Sequence, residues 1–207
     1  MLLSKKYIKS QVSIALQEDL GLLGDITSQA TIPENHKSSA EIILKEDAVL
    51  CGIEFAILTF KLLDKKIKIK KQKKDGLKYK KGSSILKIYG NTQAILAGER
   101  TALNFLGLMS GIATKAQKYS KIAKKYGSKI YSTRKTIVGI RELQKYALSI
   151  GGANINRMSL DDFFFIKDNH ILKAENINDS IDQVRRFYPK KKITVEVDKI
   201  SQLKKIL

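Results

Sequence analysis

Apolar residues recur at Ile8, Val12, Ala15 and Leu16, a spacing of three and four that predicts an amphipathic helix over residues 5–18. The stretch from Gly21 to Pro33 loses that period and reads as turns. Short alternating or apolar runs predict strands over residues 40–44, 48–51, 67–71 and 85–89, with a helix over 54–63 among them. Gly52, Asp75-Gly76 and Lys81-Gly82 supply the turns. This first part reads as a small α+β domain over residues 1–105, ending in a linking helix predicted over 92–109. Ser110-Gly111 is expected to break that helix, and residues 113–125 are helical again.

From residue 106 onward the rhythm becomes alternating strand and helix. Strands are expected over 129–132, 154–158, 163–166 and 193–197, and helices over 140–150, 177–187 and 201–207. Alternating βα units imply a parallel sheet or barrel. Four strands are about half of what a closed barrel needs, so the second domain, 106–207, is expected to be an open and incomplete one.

Polar residues gather where these strands end, the place at which βα folds put their active sites. Ser132-Thr133-Arg134-Lys135 follows the first strand, Asn156-Arg157 the second, Lys167-Asp168-Asn169-His170 the third, and Glu196 and Asp198 the fourth. Arg134, Lys135, Arg157 and Lys167 are therefore expected to converge on one pocket. Lys167 leaves the apolar run Phe163–Ile166, so partial desolvation and Schiff-base chemistry form a competing reading. Glu196 and Asp198 alternate across Val197 and point to opposite faces, which makes Glu196 the better carboxylate for an ion carried by a substrate.

Charge changes this picture less than its size suggests. The formal charge of +19 invites a nucleic-acid reading, but of 39 basic residues only Arg100, Arg134, Arg141, Arg157, Arg185 and Arg186 are arginine. The lysines spread over every solvated face as a compositional bias. An arginine kept against that bias points to a need for the guanidinium fork, which binds carboxylate or phosphate bidentately. Arg185 and Arg186 fall on a helix and are expected to be solvated. An anionic small substrate fits this distribution, and nucleic acid is not the expected partner. Cys51 is the single cysteine, which excludes an internal disulfide. No apolar run reaches the roughly 18 residues of a membrane helix. A cytoplasmic location and no membrane partner are therefore expected.

Glu18-Asp19-Leu20-Gly21 with Gly24-Asp25-Ile26-Thr27-Ser28, Glu99–Leu106 with Ser110–Thr114, Thr133–Thr136, Gly151-Gly152, Arg157, Ile166–Ile171 and Val195–Asp198 occur in one order along the chain. That ordered set resembles the quinolinate phosphoribosyltransferase family over essentially the whole sequence. The resemblance implies an N-terminal α/β sandwich domain followed by an open α/β barrel, and a homodimer in which Arg100 reaches into the neighbouring subunit's site. It implies transfer of phosphoribosyl from phosphoribosyl pyrophosphate to quinolinate with decarboxylation. Arg100, Thr133, Arg134, Lys135, Asn156, Arg157, Lys167 and Glu196 are the implied substrate-binding residues. Lys135, Lys167 and Glu196 are the implied catalytic ones, with Glu196 on the ribose and magnesium side. The sequence departs from the family pattern at Ser132 (aspartate), Ile137-Val138 (Thr-Pro) and Asn156 (histidine). The pattern also continues past Leu207 with an aspartate-bearing strand and glycine-rich phosphate loops. The barrel is accordingly expected to be truncated, and these 207 residues alone are expected to turn over little. The non-enzymatic alternative is an inactive member acting at most as a dimer partner.

Overall fold

A computed structural model describes residues 1–171 and 177–206. The chain divides into two compact units, Met1–Asn156 and Arg157–Leu207.

The first unit opens with α1 (Lys5–Leu20), whose first turn is capped by the Ser4 hydroxyl accepting the Tyr7 N–H at 3.1 Å. A short helix, α2 (Ile26–Thr31), follows inside the stretch expected to be all turns. Asp25 makes it possible: its carboxylate accepts the Ser28 N–H at 3.0 Å, the N-cap arrangement that an Asp before a helix supplies. Next come β1 (Lys37–Ile43), β2 (Ala48–Val49), α3 (Ile53–Leu63), β3 (Lys68–Lys71), β4 (Lys78–Tyr79) and β5 (Ser84–Asn91). The strand β4 was not legible; it is two residues long and pairs with β2. β5 lies antiparallel between β1 and β3. One face of that sheet packs Leu86 and Ile88 against Ile53, Ala56 and Phe60 of α3.

The predicted helix break is absent. α4 runs unbroken from Thr92 to Lys125, 34 residues. Its N-terminal half seats Ile95, Ala102 and Leu106 on the sheet core. Its C-terminal half seats Met109 and Ala113 in a second cluster with Val12, Leu16, Val49 and Cys51, joined by Leu143 and Ala147 of α5 (Arg141–Ile150). Ser110, read as a breaker, is buried instead. Its hydroxyl accepts the Cys51 N–H at 3.0 Å and donates to the Cys51 carbonyl at 3.1 Å, satisfying both backbone groups where β2 ends. Helix α4 thus serves two cores, which is why the first unit reaches Asn156.

Gly111 contributes nothing to this. A Cβ there would meet no atom within 4 Å, and glycine inside a helix costs roughly 0.5–1 kcal/mol against alanine. Gly111→Ala is expected to raise the thermal midpoint by about 1–4 °C. A lowered midpoint in a melt of the variant would show that the glycine is needed for contact.

In the second unit β6 (Phe164–Ile166) and β7 (Ile193–Val195) run parallel, with Phe164 opposite Ile193 and Ile166 opposite Val195. Of the expected buried strand only Ile166 is fully buried. A one-turn helix not foreseen, α6 (Asp168–Ile171), follows β6. Then come α7 (Ile177–Phe187) and α8 (Ile200–Ile206). Gln202 caps α8 by accepting the N–H groups of Asp198 and Lys199, each at 2.9 Å. The last position of the helix expected over 201–207 lies outside the described residues.

Candidate active site

The strands expected over 129–132 and 154–158 contract to a single parallel bridge between Tyr131 and Asn154. The pairing is short for a visible reason. Asn154 donates its N–H to the Ile130 carbonyl at 2.8 Å, and Ser132 donates its N–H to the Asn154 carbonyl at 2.9 Å. The next rung would take the Asn156 N–H to the Ser132 carbonyl. The Ser132 hydroxyl takes it instead, at 3.2 Å, and Ser132 is 5 % exposed.

Past that point the chain turns out to solvent. Thr133 Oγ1 accepts the Lys135 N–H at 3.2 Å, Arg141 Nε donates to Thr136 Oγ1 at 3.1 Å, and Gln144 Oε1 accepts the Ile137 N–H at 2.8 Å. Gly139, the residue kept from the family's Thr-Pro-Gly, sits at φ +83°, a conformation that favours glycine. Side chains take the backbone N–H groups of Lys135 and Ile137 in this turn. Its side chains offer an anion the guanidinium of Arg134 and the ammonium of Lys135. Both residues are exposed, and among the described residues neither head group has a hydrogen bond or ion pair. Arg100 on α4 is likewise exposed, beside buried Thr101, whose hydroxyl donates to Asp19 at 3.2 Å.

In the second unit the parallel register brings the ends of β6 and β7 together. The Glu196 N–H donates to the Ile166 carbonyl at 2.9 Å, and Lys167 Nζ stands 3.7 Å from Glu196 Oε2. The turn under Lys167 is closed by His170, whose Nδ1 accepts the Lys167 N–H at 3.1 Å while its own N–H reaches the Lys167 carbonyl at 2.9 Å. The Lys167 ammonium also lies 5.1 Å from the Phe165 ring centre. Arg157 is placed differently. It lies over the Phe163 ring at 5.4 Å, donates to the Leu160 carbonyl, and lines a cleft of about 670 Å³ with Ile166, Asn169 and His170. Lys167 and Glu196 do not line that cleft. Arg185, expected to be solvated only, donates to the carbonyls of Pro189 and Lys191 at 3.1 and 2.9 Å and so ties the turn that follows α7.

Two buried polar side chains escaped the sequence reading. Ser132 had no signal beyond its departure from the family pattern. Lys145 on α5 is fully buried, unlike the solvated lysines around it, and the composition bias hid it. Cys51 is no nucleophile: burial pushes its thiol well above the ordinary range.

Comparison with known proteins gives this geometry a context. Residues 25–110 match the N-terminal domain of quinolinate phosphoribosyl transferase, and residues 112–207 match its C-terminal domain. A quinolinate phosphoribosyltransferase [decarboxylating] of Nicotiana tabacum is 38 % identical over 92 % of this chain. A nicotinate-nucleotide pyrophosphorylase [carboxylating] of Mycobacterium leprae is 35 % identical over 93 % of it. The chain spans 54 % of the tobacco protein and 69 % of the mycobacterial one. Among solved structures, the nicotinate-nucleotide pyrophosphorylase of Francisella tularensis superposes with a TM-score of 0.93 at 35 % identity, covering 99 % of this chain and 72 % of that one. Two domain matches in order, and relatives along almost the whole sequence, leave one assignment: this chain belongs to the quinolinate phosphoribosyltransferase family.

Proposed function

We propose that the protein transfers phosphoribosyl from phosphoribosyl pyrophosphate to quinolinate and releases carbon dioxide, giving nicotinate mononucleotide for NAD biosynthesis. The observation that carries this reading is the Lys167–Glu196 pair at 3.7 Å, a cation and a carboxylate held at the ends of two parallel strands. Both substrates are polyanions, and cations on strand ends attract and orient them.

In this reading Arg134 and Lys135 bind the carboxylates of quinolinate, assisted by Thr133, Asn156 and Arg157. The ring nitrogen attacks the anomeric carbon as the diphosphate leaves with the bonding electron pair. Glu196 stabilises the positive charge that builds on the ribose. Lys167 balances Glu196 and holds anionic oxygen. The ribosylated nitrogen, now cationic, is the sink into which the adjacent carbon–carboxylate bond breaks. Carbon dioxide departs, and the ring carbon takes a proton from water. Lys167 is half exposed and faces a carboxylate, which suits anion binding better than a desolvated Schiff-base nucleophile.

Among the described residues no three His, Cys, Asp or Glu side chains cluster as a metal site. Glu196 offers one carboxylate, which fits magnesium carried mainly by the donor's own oxygens. Glu196 would hold the ion there, and the ion would supply positive charge to the diphosphate. A homodimer in which exposed Arg100 serves the partner's site, and a cytoplasmic location, belong to the same proposal; no described helix is long and apolar enough to cross a membrane.

The test pairs calorimetric titration of quinolinate with carbon dioxide release from carboxyl-labelled quinolinate, donor and magnesium present. Saturable binding is expected, weakened at least tenfold in a Lys135→Ala variant, in line with the loss of a charge-assisted contact of about 1.5–3 kcal/mol. No binding by the wild-type chain at millimolar quinolinate would overturn the proposal.

A further inference from the structure

At the end of the Tyr131–Asn154 bridge the Ser132 side chain does a backbone's task. In a parallel ladder the N–H two positions beyond Asn154 goes to the carbonyl of the opposite strand. Here Asn156 N–H goes to Ser132 Oγ at 3.2 Å, while Ser132 N–H still pairs with the Asn154 carbonyl at 2.9 Å. The hydroxyl therefore stops the ladder and satisfies its last donor in the same act. Pairing ends without leaving a part-buried N–H unmet, and the chain is released to turn at Thr133. A residue without a side-chain acceptor would either orphan that N–H or draw Asn156 onto the Ser132 carbonyl, extending the strand. Either change moves Asn156 relative to Thr133, Arg134 and Lys135.

We propose that Ser132 is a positioning residue for anion binding: its buried hydroxyl fixes Asn156 beside the turn that carries Arg134 and Lys135. This rests on the quinolinate reading above, and its effect is exerted through Asn156, without contact to substrate. Ser132 and Asn156 meet in space through this one hydrogen bond. The hydroxyl accomplishes the lock without adding a negative charge next to two cations that have no counter-ion among the described residues.

The test is Ser132→Ala and Ser132→Thr on the full chain, read by amide hydrogen exchange and by quinolinate titration. In Ser132→Ala the Asn156 amide is expected to exchange about tenfold faster while the Asn154 amide keeps its protection. Quinolinate affinity is expected to fall about tenfold, the effect of one lost hydrogen bond on placement. Ser132→Thr, which keeps the hydroxyl, is expected to restore both. Unchanged Asn156 exchange in Ser132→Ala overturns the lock. Faster exchange with unchanged affinity overturns the positioning role. Should the wild-type chain bind no quinolinate while Asn156 exchange still depends on Ser132, the substrate reading is what has failed, and the positioning role falls with it.

Discussion

Replacing Arg134 with alanine is expected to weaken quinolinate binding about a hundredfold or more, and replacing it with lysine about tenfold. The side chain is exposed in the turn that follows the Tyr131–Asn154 bridge, and no described group neutralises it. It has nothing to lose on binding except water. A guanidinium presents two parallel N–H donors that match a carboxylate, and each charge-assisted bond contributes about 1.5–3 kcal/mol. Alanine removes both bonds and the charge. Lysine keeps the charge but makes only one such contact, from a freely rotating ammonium. Arg186→Lys on α7 serves as the control, since that arginine is also exposed but lies away from any strand end. Calorimetric titration of the three variants decides the matter. Affinity within twofold of wild type for Arg134→Lys would show that the fork is not used, and the argument from arginine scarcity would fail with it.

Much of the first unit is legible in the sequence. Alternation of apolar residues gave β1, β3 and β5 to within a few residues, because one face of their sheet is packed on α3 and the other is wet. The period of three and four gave α1, α3, α5 and α7 for the same reason. The strand ends carrying Lys167 and Glu196 were legible because short apolar runs stop abruptly at charge. The misses at α4 and near residues 130 and 155 share a cause, which is that a tertiary partner reversed a local preference. Ser110-Gly111 weakens a helix in isolation, yet the two hydrogen bonds between Ser110 and Cys51 and the burial of Met109 and Ala113 hold α4 straight through it. The strands near residues 130 and 155 were overestimated because propensity does not reveal that the Ser132 hydroxyl ends the ladder. The helix α2 was missed because Asp25 was read as a turn residue when it is a cap. Arginine usage singled out Arg100, Arg134 and Arg157 as candidates for binding an anion, but it did not foresee that Arg185 would tie down a turn through two carbonyls.

Gly151→Ala is expected to be the most damaging single methyl that the first unit can receive. The pair Gly151-Gly152 looks like one feature in the sequence, but the two glycines exist for different reasons. Gly151 has φ −77°, which any residue adopts, so its conformation demands nothing special. Its surroundings do. A Cβ there would lie 2.3 Å from the Ala113 carbonyl oxygen, 2.5 Å from Ala116 Cβ and 3.0 Å from the Gln117 nitrogen. Two of those atoms are backbone of α4, which cannot step aside as a flexible side chain would. The end of α5 must therefore retreat from α4. That opens the cluster in which Leu143 and Ala147 meet Met109 and Ala113, and it pulls Asn154 off its bridge to Tyr131. Overpacking of a tight contact costs typically 1–3 kcal/mol, and more where only backbone can yield. About 3 kcal/mol, or roughly 6–12 °C in the thermal midpoint, is the expected loss. Gly152 is the reverse case. Its φ of +89° is costly for any residue with a Cβ, but the nearest atom, Ser120 Cβ, is 3.6 Å away and the space is free. Gly152→Ala should cost only about 1–2 kcal/mol, the ordinary left-handed penalty. Thermal and denaturant unfolding of the two variants side by side give the answer. Equal losses, or a larger one for Gly152→Ala, would mean that α4 and α5 do not approach as closely as these distances require.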